Sequence, residues 1–392
     1  MIKNRQTQYY YISSSAPHFI WGAFWVISVF SIDTMSKNNE FVWIGILFAV
    51  GWLSVLIAQL LLPFLSNISA RRSFIIFEMT EATLFLLFPL LVFSGLVLYF
   101  IILTFIVGIL DEVGKGTLPP IFKAISENNL KHNVSFFRSW NMVARILGIV
   151  ASGIAYYFIG SYAYFVLAVI LFMTVLPSIR FPRNIKVITR SEVHYNIRQI
   201  LHEFRCSKVF KYFSIFTTFQ IFDGIFYVVL VVYVTELLMV DSISYSIWQV
   251  IMYSGGIMGA LLFSKLKFKE AKIVAYTSFG TPIVVFVLVF LHDMFFIVLF
   301  TFIFILLTSL RGTLYTHIIY KSHHLENVAL IFVVYTFAIS LSRILGNLSG
   351  DWFLTYQKSI SMDFFLIGIL FLVNAFLSAV ILLKDRNFVG TL

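Results

Sequence analysis

Charge is scarce in this chain. Only 12% of its 392 residues are Asp, Glu, Lys or Arg, roughly half of what a soluble globular domain carries. So few charges cannot keep 45 phenylalanines and a 60% hydrophobic composition in water. Cysteine is scarcer still. Cys206 stands alone, which excludes a disulfide framework and a cysteine-built metal centre. A glycine-rich phosphate loop ending in Lys-Ser/Thr is missing, so direct drive by ATP is not expected. "HEFR" (202–205) lacks the second histidine of a metalloprotease helix. No nucleophile and base are paired within the apolar segments, which argues against an enzyme. The N-terminal stretch is basic and then apolar, but it is long, aromatic and without a small-x-small cleavage pattern. It reads as a retained first span rather than a signal peptide.

Long apolar runs are abundant. "WIGILFAVGWLSVLIAQLLLPFL" (43–65) holds no charge and exceeds the ~20 residues that a helix needs to cross a bilayer. Lipid offers no partner for backbone N–H and C=O groups, so segments of this length must be helical. Twelve such segments can be marked: 12–33, 41–64, 73–94, 96–119, 134–158, 162–179, 211–235, 243–264, 272–291, 294–317, 327–349 and 362–383. Most connections are short. The exception, around 180–210, divides the chain into a six-helix bundle over 1–180, a linker over 181–210 and a second six-helix bundle over 211–392. Within that linker Ile197, Leu201 and Phe204 share one helical face, as in a short amphipathic helix on the membrane surface.

The basic residues set the orientation. With the N-terminus in the cytoplasm, 22 of the 28 Lys and Arg fall on the cytoplasmic side and only Lys37 and Lys358 on the outer side. That imbalance places both termini inside, in a cytoplasmic (inner) membrane. It also accounts for the net charge of +10 by attraction to anionic lipid, without nucleic acid.

The remaining four basic residues, Lys115, Arg145, Arg311 and Arg343, lie within spans and follow a repeat. "RILG" begins at Arg145 and again at Arg343, 198 residues on; "KGTL" begins at Lys115 and "RGTL" at Arg311, 196 residues on. Ordered matches at nearly constant offset, on equivalent spans, point to two related halves.

Two parallel six-span halves joined by a basic loop resemble the major facilitator superfamily over essentially the whole chain. The loop between spans two and three adds to the resemblance. The family signature there reads roughly G-x-L-a-D-r-x-G-R-[RK], and this chain has "PFLSNISARR" (63–72). Leu65, Arg71 and Arg72 match, while Pro63, Asn67 and Ala70 replace Gly, Asp and Gly. The resemblance implies that Asn67, Arg71 and Arg72 belong to a cytoplasmic gate, with Asn67 able to keep a hydrogen bond but not an ion pair. It also implies alternating access, a substrate site near mid-membrane between the halves, and spans 3, 6, 9 and 12 at the lipid-facing periphery. Span 3 departs from this, since it carries Glu78 and Glu81.

A charge at mid-bilayer is costly and normally faces water or a partner. Arg145 lies about 11 residues into span five, or ~16 Å at 1.5 Å per residue, and Arg343 matches it in span eleven. Either each arginine pairs with an acid, Arg145 with Asp111 or Glu112 and Arg343 with Asp223 or Glu326, or both recognise an anionic group on a substrate. Asp223, Asp111, Glu112 and Glu81 are the candidates for moving protons, and His18 is a weaker one. Trp25 and Phe226 are candidate substrate contacts, with Trp21 and Phe219 beside them, although packing competes for every aromatic in a chain this rich in them. "GGIMGA" (255–260) spaces Gly255 and Gly259 for close helix contact. The expected protein is a monomeric secondary transporter, without cofactor or bound metal, whose partners are protons, a small molecule and the bilayer. The general resemblance is to the drug and siderophore efflux branch. It points to export of a small organic molecule in exchange for protons, and the intramembrane arginines tilt that cargo toward a carboxylate-bearing one, such as a drug or a siderophore or metallophore of the staphylopine type. Proton-driven import of an anionic nutrient and a non-transporting membrane sensor are the alternatives.

Overall fold

The computed structural model describes residues 5–36, 40–65, 68–118, 121, 130–185, 208–238, 240–266, 270–291, 293–322, 325–356 and 360–383. All regular elements among them are helical: α1 (Arg5–Met35), α2 (Glu40–Leu61), α3 (Ala70–Phe85), α4 (Phe88–Phe93), α5 (Val97–Gly116), α6 (Leu130–Ile159), α7 (Ala163–Val175), α8 (Lys208–Val232), α9 (Ser242–Lys265), α10 (Glu270–Leu288), α11 (Met294–Ser322), α12 (Leu325–Tyr356) and α13 (Ile360–Leu383). The amphipathic stretch expected in the linker lies outside the described residues.

The third apolar segment is split between α3 and α4. Pro89, at the start of α4, has no N–H to give the Phe85 carbonyl and crowds the turn before it. Leu86 and Leu87 bridge the break with tight bonds to the Thr83 and Leu84 carbonyls (3.2 and 3.0 Å). Among the described residues, nine stretches are long and apolar enough to cross a membrane, and one of them, Trp140–Arg180, takes in the later part of α6 and all of α7. The outward faces are apolar: Phe290 is 80% exposed and Phe158 74%. In water such faces would aggregate; against lipid they are solvated.

The chain forms two compact units, Met1–His194 with Val240–Val250, and Tyr195–Met239 with Ile251–Leu392. In the first, α1 runs along α6 while α3 packs on α5 and α7; in the second, α8 runs along α12 and α10 along α13. The α1–α6 and α8–α12 crossings explain the glycine of "RILG". A methyl group on Gly148 would overlap the Phe19 carbonyl, and one on Gly22 the Arg145 carbonyl. The second unit repeats this, with Gly346 against the Ile221 carbonyl and Gly224 against that of Arg343. Without a Cβ at these points the backbones can approach, and packing rather than hydrophobicity joins helices in lipid. Gly255 and Gly259 serve α9 in the same way, against the Phe302 and Leu306 carbonyls of α11.

Candidate functional site

Each unit encloses a cluster of buried charged side chains. In the first, α3 is amphipathic, and the face it buries consists of Ala70, Ser73, Phe74, Glu78, Glu81, Ala82 and Phe85. Two of those core positions are glutamates three residues apart, which puts them side by side on one face. Opposite them α5 supplies Asp111. Glu78 and Glu81 are fully buried and Asp111 is 1% exposed. One oxygen of each lies within 4.8 Å of the others. Lys115, one turn further along α5, bonds Asp111 Oδ2 and, at 3.1 Å, Glu112 Oε1. Its ammonium also sits 5.6 Å from the centre of the Trp21 ring on α1. Both oxygens of Glu78, both of Glu81 and Oδ1 of Asp111 have no hydrogen-bond partner among the described residues.

The second unit has the opposite balance of charge. Asp223 on α8 pairs with Nη2 of Arg343 on α12. The Arg343 Nε donates to Gln220 Oε1 at 2.7 Å, one turn before Asp223, so two α8 side chains fix both edges of the guanidinium. The Asp223 side chain is 7% exposed and that of Arg343 19%. Arg311, on α11, is fully buried. Its guanidinium carbon lies 4.3 Å from the centre of the Phe219 ring, and Nη2 donates to Asn374 Oδ1 at 3.2 Å. Asn374 is oriented in turn by donating to the Ile215 carbonyl at 3.2 Å. Nε and Nη1 of Arg311 have no hydrogen-bond partner among the described residues. Among the described residues of this cluster, one carboxylate, Asp223, stands near two guanidiniums.

The structure brings Glu81, Asp111 and Glu112 into one cluster, with Glu78 added, and Asp223 and Arg343 into the other. Asp111 and Glu112, considered from sequence as partners for Arg145, both engage Lys115. Arg145 is half-buried, its carbonyl set against Gly22. Phe226 packs as core: it is 1% exposed, 4.2 Å from the Phe304 ring and 6.0 Å from that of Phe364. Trp25 is half-buried between Trp21 and Phe48 (5.6 and 5.3 Å). At the expected gate, Arg71 Nη1 donates to the Phe181 carbonyl at 3.4 Å, Arg72 is exposed, and Asn67 lies outside the described residues.

Sequence reading did not assign roles to Lys115, Arg311, Gln220, Asn374 or Glu78. The first two had a usable signal. They open "KGTL" and "RGTL", and the structure sets each over an aromatic ring from the first helix of its unit. Gln220 and Asn374 are neutral residues in apolar surroundings and had none.

No family model and no curated protein matches this chain. Solved structures do. An alanine-substituted variant of the nucleoside transporter NupG superposes with a TM-score of 0.75 at 12% identity, covering 96% of this chain and all of that one. NupG itself gives 0.74 at 14% identity over 96% and 99% of the two chains. A D-xylose–proton symporter gives 0.66 at 14% identity over 95% and 97%. Identities this low establish architecture alone. The chain therefore shares the all-helical, multi-pass fold of these membrane transporters.

Proposed function

We propose that the chain is a secondary transporter that couples proton movement to that of a small carboxylate-bearing solute, with Asp223 and Arg343 as the exchanging pair. The arrangement of Asp223, Arg343 and Gln220 carries this reading. When Asp223 takes up a proton, Arg343 loses its counter-charge while Gln220 keeps the guanidinium oriented. A solute carboxylate then supplies the missing charge in the two-pronged geometry a guanidinium favours. Proton and anion thus bind together, and cooperative binding at one pair is the thermodynamic basis of symport. The similarity to a nucleoside transporter and a D-xylose–proton symporter supports proton-coupled movement of a small solute. The distribution of Lys and Arg supports a cytoplasmic-membrane location with both termini inside, and a monomer is the proposed working form.

Export in exchange for protons is the second reading, and the same pair supports it for one kind of cargo. A buried ion pair is complementary to a solute carrying both signs, such as a siderophore or metallophore of the amino-polycarboxylate kind. An ammonium on such a cargo would displace the proton from Asp223, making the two mutually exclusive. The sign of proton flux separates the readings. Proteoliposomes holding a pH-sensitive dye, with membrane potential clamped and no initial pH difference, are exposed to lactate, citrate, aspartate, uridine or D-xylose. Symport acidifies the lumen as solute enters, and antiport makes it alkaline. A lumen unresponsive to every solute would refute the transporter reading and favour a sensor.

A further inference from the structure

We propose that Glu78, Glu81 and Asp111 form a binding site for a hard metal cation inside the first unit. The three oxygens that lie within 4.8 Å of one another have the separation of ligands around one ion, since oxygens coordinating such a cation at about 2.3–2.6 Å stand up to about 5 Å apart across it. Ionised carboxylates only accept hydrogen bonds. Five carboxylate oxygens here are buried with no donor among the described residues, a situation normally resolved by pairing or by a metal. Glu78 supplies a separate observation. It is fully buried with neither oxygen partnered, yet it is turned toward α5 at a position without a side chain: a Cβ on Gly114 would stand 2.8 Å from its Oε1. Charge points the same way, because among the described residues Lys115 is the cation paired with this group of four acids, Asp111, Glu112, Glu78 and Glu81.

The donors are oxygen only, which selects hard cations over zinc or copper. Magnesium retains several waters and suits so dry a site poorly, leaving sodium, calcium or manganese. Lys115 and Glu112, 19% and 26% exposed, form the open edge of the cluster. The site lies in the other unit from Asp223 and Arg343 and does not depend on the symport reading. It does replace the sequence expectation that Glu81 and Asp111 carry protons.

The test uses the purified full-length protein in detergent. Its unfolding midpoint is followed by tryptophan fluorescence while sodium, calcium or manganese chloride replaces choline chloride at constant ionic strength, with magnesium as control. One cation is expected to raise the midpoint saturably, and equilibrium dialysis with the radioactive ion should find one site per chain. Lost outer-shell partners alone weaken metal sites ten- to hundredfold, so Glu78→Gln or Glu81→Gln, which removes a ligand, should weaken binding about 100-fold or more. Both substitutions keep the shape and remove a buried negative charge, so the variants are expected to fold; Asp111→Asn gives a third check. The proposal is overturned if no cation acts saturably, as carboxyls kept neutral by protons would require. It is also overturned if the variants respond like the parent, which would mark surface ions. Either result leaves the dye experiment on the symport reading untouched.

Discussion

Asn in place of Asp223 has the shape of the protonated acid but no proton to release, which makes Asp223→Asn the sharpest test of the coupling pair. Two unit charges 4 Å apart attract by about 4 kcal/mol at an effective dielectric of about 20. Arg343 is 19% exposed and keeps its 2.7 Å bond to Gln220 in the variant, so part of that attraction is recovered from water and from the amide. A net coupling of roughly 2 kcal/mol remains, within the range measured for contacting pairs. Freed of that competitor, the guanidinium should bind a solute carboxylate up to about 30-fold more tightly at neutral pH, with affinity no longer varying with pH. Exchange of labelled for unlabelled solute should persist, and solute-driven acidification of the lumen should stop. Arg343→Ala should lose both. Continued proton flux in Asp223→Asn, or a loss of binding as large as in Arg343→Ala, would refute the reasoning.

Gly346→Ala drives a methyl into the Ile221 carbonyl and should cost about 1–3 kcal/mol, read as a lower unfolding midpoint. Gly256→Ala should leave the midpoint unchanged, since the nearest atom to its Cβ would be Ile305 Cγ2 at 3.6 Å. Asp241, ahead of α9, accepts the Ser244 N–H at 2.8 Å, which holds its carboxyl below the ordinary value. A depressed folded value stabilises above the unfolded value and is lost as pH falls through the folded one. Helix-end protection by hydrogen exchange should therefore weaken only in acid, and Asp241→Ala should remove about 1 kcal/mol at neutral pH. Cys206 offers a topology check without mutation: an impermeant maleimide should label it in inside-out vesicles and not in right-side-out ones, and the reverse would overturn the proposed orientation.

The helical membrane fold was legible because lipid leaves long apolar segments one option, and the repeat was legible because its letters fall on equivalent spans. The break before Pro89 was harder to see, since "LFLLFPLLVF" stays apolar throughout; only the missing N–H interrupts it. Charged residues announced the polar clusters by their rarity, but not their partners. Lys115 sits three and four residues from Glu112 and Asp111 on one helix, a local pairing passed over in favour of a partner on another span. Gln220 and Asn374 show the limit of such reading, because an amide among phenylalanines carries no mark of whether it orients a guanidinium or fills space.

The backbone-to-glycine seams along α1–α6 and α8–α12 have a mechanical consequence. At Gly148 and Gly346 the nearest atoms are all main chain, which has no rotamer to switch, so the two rods resist creeping past one another; a whole-turn jump of about 5.4 Å would re-seat them. Spin labels at Ile12 and Ile154, both exposed, would then act as a fixed ruler, reading one distance with or without cargo.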